Sequence, residues 1–366
     1  MVTEAESVPT PSPTPSCPVR VDRVLITGAC GFIGRRLVQR MLDDSRFADS
    51  RFTLTDVVGP GGIDTDARVR WVEGDIGDPA VIEDLTADAP TTVIHLAGML
   101  GAAAENDPRA ARRVNIDATL ELLERLRSSG IWPRLVSASS IAVFGTAHPA
   151  SVNDESRPNP TMIYGAHKLM TEVAIEQSAA RGWVDGYALR LPGIVARRDA
   201  DSRQRSAFLN ALFFACEEAA RFTLPVGPEG TSWLLSVEAC VDALIHAVML
   251  PPGLNVSRRA FTLPALRVTV GELVDGLADR FPHSRGLVNF DADPELHAQF
   301  ASQPPLVTDA ANSLGFRHDG DLATLIARAL HERDTEVASM VRATPTDSAV
   351  DRAQILVESR LTKGAT

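Results

Sequence analysis

A chain of 366 residues with a net charge of −11 is poorly suited to nucleic acid or an anionic membrane, since both repel a surplus of acid at the contact. Hydrophobic residues at 45% and charged residues at 23% provide for a large ordinary core, and no apolar run reaches the length of a membrane span. The four cysteines (Cys17, Cys30, Cys216 and Cys240) are scattered, which reads as reduced thiols in a cytoplasmic protein, with no metal expected.

Residues 1–20 are rich in Pro, Ser and Thr and read as a disordered arm. They lack the basic-then-apolar order of a signal peptide. From Val21 onward, apolar β-type runs at 24–26, 52–55, 69–72, 92–95, 134–137 and 187–191 alternate with helix-like segments at 32–43, 79–88, 108–129 and 164–180. Continuous apolar strands alternating with helices predict an α/β fold of the Rossmann type, a doubly wound parallel sheet with helices on both faces. Residues 21–191 would form this domain. Beyond Leu191 the rhythm changes. Residues 192–335 are expected to form a smaller C-terminal substrate-binding lobe that can return a strand to the main sheet. Its helices are expected at 207–221, 237–250, 270–281 and 321–331, with short strands near 260–263 and 287–290. Residues 336–366 form a polar tail.

The motif with the clearest chemistry is the first strand–turn–helix, where Gly28, Gly31 and Gly34 punctuate Val24-Leu-Ile-Thr-Gly-Ala-Cys-Gly-Phe-Ile-Gly34. Glycines here permit a tight turn, close approach of a pyrophosphate to the backbone, and helix-on-strand packing, with the pyrophosphate over the helix N-terminus. Asp56 ends the second strand about 20 residues further on, where a carboxylate accepts from a ribose 2′-hydroxyl and repels a 2′-phosphate. No basic residue follows directly in Val57-Val-Gly-Pro, so NAD is expected over NADP. His95, at the end of the fourth strand, reads as a packed, hydrogen-bonded residue. Ser137-Ala-Ser-Ser140 places hydroxyls at the end of the fifth strand. Tyr164 and Lys168 stand on one helix face, one turn apart. An ammonium and a cationic nicotinamide nearby would both lower the phenol from its usual value near 10, toward use as an acid/base.

With these pieces in place, the chain resembles the extended short-chain dehydrogenase/reductase family over roughly residues 21–330. The resemblance rests on Gly28, Gly31 and Gly34, Asp56, Asp75-Ile76, His95-Leu-Ala-Gly98, Val114-Asn115, Ser139-Ser-Ile-Ala-Val-Phe-Gly145, Tyr164-Gly-Ala-His-Lys168 and Arg190-Leu-Pro-Gly193. It implies Ser140 as the hydroxyl that orients substrate, Tyr164 as general acid/base, and Lys168 as the residue that binds the nicotinamide ribose and tunes Tyr164. It implies Asp75 and Ile76 beside the adenine, and Pro192 and Gly193 beside the nicotinamide. It extends cofactor contact to Phe32, Ile33, Leu96, Ala97, Gly98 and Asn115, and substrate contact to Met99, Ser140, Ile141, Arg197, Arg205 and Trp233. Phe144 stands where the family often has Tyr, a packing change. A homodimer through the helices at 108–129 and 164–180 is implied as well.

Within the family, the run from Arg181 to Ile194, with Ser206-Ala-Phe and Leu224-Pro-Val, is similar to the D-erythronate dehydrogenase group. Where that group commonly has Ser-Pro-Arg, this chain has Ser236-Val-Glu238, and Gly193 replaces a usual Thr. Glu238 would repel an anionic substrate, so either Arg197, Arg198, Arg203 or Arg205 takes over or the substrate is no small carboxylate. The leading expectation is NAD-dependent oxidation of a secondary hydroxyl on a small polyhydroxy acid or sugar-type molecule. Two alternatives stay open: a nucleotide-sugar epimerase with tightly bound NAD, and a non-catalytic dinucleotide sensor. A 4,6-dehydratase is disfavoured, because Ile141-Ala142 follow Ser140 where such enzymes carry Asp-Glu. Cys30, inside the glycine loop, reads as a small packed residue with a possible redox side-role.

Overall fold

The computed structural model describes residues 21–61, 66–198, 207–254 and 256–330. Its first half runs β1 (Arg23–Thr27), α1 (Phe32–Asp43), β2 (Arg51–Asp56), β3 (Val69–Glu73), α2 (Pro79–Thr86), β4 (Thr92–His95), α3 (Gly101–Asn106), α4 (Pro108–Arg112), α5 (Ala118–Ser128), β5 (Arg134–Ser140), α6 (Ile163–Ala180) and β6 (Asp185–Leu191). The remainder runs β7 (Gly193–Val195), α7 (Phe208–Glu217), β8 (Phe222–Leu224), β9 (Thr231–Ser236), α8 (Val237–Met249), β10 (Ala260–Thr262), β11 (Leu266–Thr269), α9 (Val270–Arg280), β12 (Val288–Phe290), α10 (Pro294–Phe300), α11 (Asp309–Ser313) and α12 (Leu322–Ala329). Among these helices none is long and apolar enough to cross a membrane.

Seven strands make one all-parallel sheet in the order β10-β6-β5-β4-β1-β2-β3. The order reverses between β4 and β2 about β1, which opens a crevice at the carboxyl ends of β1 and β4, the place where such sheets bind ligands. Alternation along β1 shows why both faces are covered. Val24 and Ile26 join a core with Leu37, Val38 and Met41 of α1 and Leu244 and Val248 of α8. Leu25 points the other way, into a core with Ile82 of α2, Leu122 of α5 and Ile175 of α6. Each fully buried side chain of this size contributes about 1.5–3 kcal/mol. The sheet is therefore clamped at the strands that carry the crevice.

The long helix expected over 108–129 differs in one respect: a π turn, Arg113–Asp117, separates α4 from α5. The extra residue accompanies an inward-facing Asn115, whose side chain bonds the backbone of Met99 at both ends (Met99 N–H to Oδ1, 2.7 Å; Nδ2 to Met99 O, 3.0 Å). Such turns recur where a side chain has to be re-aimed.

After β6 the chain builds a second core from Phe208, Leu212 and Phe213 of α7, Leu234 of β9, Val268 of β11, Leu273 and Leu277 of α9, and Leu325 of α12. A three-stranded sheet, β11-β9-β7, and the β12-β8 pair belong to this region. Strands β7, β8, β9 and β11 and helices α10 and α11 escape the sequence pattern. They are short, and β9 is buried at every position, so it shows no alternation to read.

Candidate active site

Strand β1 ends at Thr27 and the chain turns at Gly28, whose φ is +73°. A Cβ there would lie 2.7 Å from the backbone N of Ala97, so both conformation and space demand glycine. A Cβ on Gly34 would lie 2.1 Å from the carbonyl of Gly28, which is what seats α1 directly on the turn. Gly31 stands at the N-cap of α1 with no side chain closing that end, and the first turn carries no acid. Open N–H groups and the positive end of the helix dipole therefore face the crevice. Asp56 accepts from the backbone N–H of Cys30 (2.9 Å) and of Val57 (2.8 Å), which holds its carboxylate beside the glycine turn. These features fit a dinucleotide: a cradle that any Cβ would fill, an uncapped helix end and a fixed carboxylate at the next strand.

The walls follow in strand order. Asp75 accepts from the backbone N–H of Gly77 and pairs with Arg113 at 2.7 Å, beside the buried Ile76. Leu96, Ala97 and Gly98 leave β4 along the crevice. Asn115 does not line the crevice itself. It stands behind Gly98, where a Cβ would meet Asn115 Oδ1 at 3.1 Å, and pins Met99 from the rear. His95 is buried, its Nδ1 2.8 Å from Thr27 Oγ1 and its Nε2 3.2 Å from Thr119 Oγ1. Burial first, and the Lys168 charge second, push its pKa down to about 3, so it is a neutral packed residue.

At the end of β5, Ser140 turns the chain into a short 3-10 segment, accepting from Ala142 N–H at 3.1 Å. Helix α6 starts against this segment: a Cβ on Gly165 would lie 2.3 Å from the carbonyl of Ala142, so the glycine after Tyr164 is what lets the helix approach. The consequence is that Tyr164 stands close enough to Ser140 for the serine hydroxyl to act on its phenol. Lys168 Nζ donates to Ala138 O at 2.6 Å and lies 5.7 Å from the centre of the Tyr164 ring. Burial pushes the Tyr164 phenol up to about 12, against the Ser140 hydrogen bond that lowers it. Burial also pushes the Lys168 ammonium down to about 8, opposed by the charge of Glu172. The lowering of the phenol anticipated from the ammonium is therefore not seen in the protein alone, where burial dominates and Ser140 is the opposing influence.

Beneath this pair lies a network that sequence reading missed. Glu172, buried one turn beyond Lys168, takes two hydrogen bonds from Arg190 of β6 (2.9 and 2.7 Å) and one from the hydroxyl of Ser139. It ties the strand bearing Ser140 to the helix bearing Tyr164. Its signal was its spacing, four residues past Lys168 on the same face. Arg190 also covers the buried Phe144 ring at 5.2 Å.

The crevice has a volume of about 1100 Å³ and runs from Gly28 past Tyr164 to Gln303. It brings together Gly28, Gly31, Phe32, Ile33, Gly34, Asp56, Asp75, Ile76, Leu96, Ala97, Gly98, Met99, Ser140, Ile141, Tyr164, Lys168, Pro192, Gly193, Arg197 and Trp233, all anticipated from the sequence. Arg203 and Arg205 lie outside the described residues. Trp233 borders the crevice from the core. Its indole is buried and donates to Pro304 O at 2.7 Å. Arg198 turns away to Glu217 (2.8 Å) and Glu218 (2.6 Å) and stacks on Phe214. Glu238 corrects the sequence expectation outright: it is buried away from the crevice, at the start of α8, and held by Arg36 and Arg40 of α1. A carboxylate so paired repels nothing in the crevice. Cys30 is partly buried with its thiol 3.2 Å from Gly59 O, and burial raises its pKa, the opposite of a reactive thiolate.

A parallel sheet in this order, with a glycine cradle at its switch point and a Ser–Tyr–Lys group across the crevice, defines a dinucleotide-dependent oxidoreductase of the extended short-chain type. Residues 24–251 match the model of the NAD dependent epimerase/dehydratase family, and the chain belongs to that family, with NAD as its cofactor. It is 40% identical to a D-erythronate dehydrogenase of Cupriavidus necator over 261 residues, 69% of this chain and 80% of that protein. It is 30% identical to a D-erythronate dehydrogenase of Haemophilus influenzae over 306 residues, 83% of this chain and 97% of that one. Among solved structures, a nucleoside-diphosphate-sugar epimerase from Agrobacterium tumefaciens superimposes with a TM-score of 0.79 at 28% identity, covering 86% of this chain and 95% of that one.

Proposed function

We propose that the protein oxidises a secondary hydroxyl of a small polyhydroxy acid, D-erythronate or a near analogue, with NAD exchanging freely. The carrying observation is the meeting of Ser140, Tyr164 and Lys168 in the same crevice as the glycine cradle, with Lys168 Nζ 5.7 Å from the centre of the Tyr164 ring. Likeness to two D-erythronate dehydrogenases supports the substrate class. The withdrawal of Glu238 to Arg36 and Arg40 supports it further, since the objection to an anionic substrate falls away.

In this reading Ser140 and Tyr164 hold the substrate hydroxyl and Tyr164 takes its proton as the C–H bond breaks. Bound over the glycine turn, NAD supplies the hydride acceptor. Lys168 holds a positive charge under the Tyr164 ring that favours the phenolate, and Glu172 keeps Lys168 charged. Gly28, Gly31 and Gly34 seat the pyrophosphate and Asp56 the adenosine ribose, with Asp75 and Ile76 by the adenine and Pro192 and Gly193 by the nicotinamide. Residues 192–335 serve as the substrate-binding lobe, and Arg197 is the candidate partner for a substrate carboxylate. The exposed Leu120 of α5 and Met170 and Val173 of α6 support a homodimer through these helices. We assign the protein to the cytoplasm, where NAD is exchanged among enzymes.

A second reading, a nucleotide-sugar epimerase that returns the hydride, is favoured by the Agrobacterium tumefaciens likeness. Absorbance at 340 nm with NAD and a panel of four- to six-carbon aldonic and uronic acids separates the two. Stoichiometric NADH supports the dehydrogenase, whereas a blank with NAD retained through purification supports the epimerase.

A further inference from the structure

We propose that Glu105 is a positioning residue for Tyr164, acting as a cap on the helix that carries the tyrosine. This deepens the reading of Tyr164 as general acid/base and rests on it. The first N–H groups of a helix have no partner within it, and a side-chain oxygen just before the helix commonly takes one. Helix α6 starts at Ile163 without that provision. Its N-cap is Met162, whose side chain makes no capping bond, and its first turn carries no acid. The acceptor comes instead from α3: Glu105 accepts the Ile163 N–H at 2.7 Å from 58 residues earlier in the chain.

Tyr164 is the second residue of α6, so it stands on the turn that an uncapped helix loses first. Ala166 N–H closes that turn on Met162 O at 3.0 Å, and Gly165 seats it against Ala142 O. Glu105 adds the hold at the very start. Because Ser140 is fixed at the end of β5, where the phenol stands against it follows from the start of α6.

A carboxylate suits this place better than a neutral oxygen. It makes a charge-assisted bond and meets the positive end of an 18-residue helix. Its charge is felt one turn further on at His167, where burial lowers the pKa and the charges of Glu105 and Asp117 oppose it. Glu105 lines the crevice with Met99, Leu100 and Tyr164, and α3 follows closely on Met99, which Asn115 pins. The brace therefore joins the wall that leaves β4 to the helix that carries Tyr164. With its oxygen given to Ile163, Glu105 serves the helix and is not a ligand for the substrate.

The test compares wild type, Glu105→Ala and Glu105→Gln, the last keeping an acceptor without the charge. Amide hydrogen exchange over residues 163–166 needs no substrate; kcat and KM are taken with D-erythronate and NAD. In Glu105→Ala, exchange at Ile163 and Tyr164 is expected to quicken about fivefold or more. Its kcat is expected to fall about fivefold to tenfold, with KM and NAD affinity within about twofold and the melting temperature close to wild type. Glu105→Gln is expected to recover most of both losses, to within about threefold of wild type. A fall confined to KM would make Glu105 a substrate contact and overturn the assignment. Unchanged exchange, or a Glu105→Gln enzyme as slow as Glu105→Ala, would overturn it as well. A wild type inert toward D-erythronate would sink the polyhydroxy-acid reading instead. The exchange rates alone would then decide the cap, quickened in Glu105→Ala if it is right and unchanged if it is wrong.

Discussion

At the cofactor end of the crevice, Gly28, Gly31, Gly34 and Asp56 come from a single βαβ unit. Their positions are dictated by contacts within it, such as the 2.1 Å that a Cβ on Gly34 would leave to Gly28 O. At the proposed substrate end, Arg197, Asn210, Trp233 and Gln303 come from separate segments. They are assembled by a lobe whose strands pair across long stretches of sequence, as β9 does with β7 and β11. Local backbone geometry shapes the first end, and side chains that only tertiary packing brings together shape the second. Changes at the first end should affect cofactor handling broadly, and changes at the second should affect substrates selectively.

Replacing the chemical group between the two ends should have the largest effect. Tyr164→Phe is expected to lower kcat by about 10²–10⁴-fold while NAD affinity stays within a few-fold, measured by steady-state kinetics and fluorescence titration. Comparable losses in both would show that Tyr164 serves the cofactor end and not the chemistry.

Glu238→Ala sharpens the comparison from the other side, because the residue neighbours the substrate region in sequence but not in space. It leaves Arg36 and Arg40 without their buried partner, and a loss of about 2–4 kcal/mol in stability is expected by denaturant titration. KM for the acid should not move in the surviving folded protein; a marked fall in KM would restore Glu238 to the substrate wall.

Asp56→Asn keeps an acceptor for the Cys30 and Val57 N–H groups but removes the charge. The ratio of NADP to NAD efficiency should rise about tenfold, with the acid substrate's KM unaffected. An unchanged ratio would mean that Asp56 does not face the ribose.

Glu172→Gln should act through pH. The Glu172 charge raises the Lys168 pKa against burial, so its loss pushes that value further below about 8. The alkaline limb of the kcat/KM profile should move to lower pH, whereas damage confined to packing would scale the profile without shifting it.

The cofactor end was largely legible in the sequence because its rules are local. Residues 32–43 were expected as the first helix and fold as α1 over the same span, and Tyr164 and Lys168 lie on one face of α6 as their spacing requires. The π turn at Arg113–Asp117 was not legible, since it answers to the backbone of Met99 behind the crevice wall. Nor was the fate of Glu238: a carboxylate at the start of α8 looks exposed until α1 supplies two arginines from some 200 residues earlier, |i−j| being 202 and 198.

The most direct test of the proposed chemistry is the amount of NADH formed per D-erythronate consumed by the purified protein supplied with excess NAD. One NADH per molecule oxidised, abolished in Tyr164→Phe, is the expected result. No NADH from any four- to six-carbon acid, with NAD carried through purification and a nucleotide sugar interconverted instead, would contradict it.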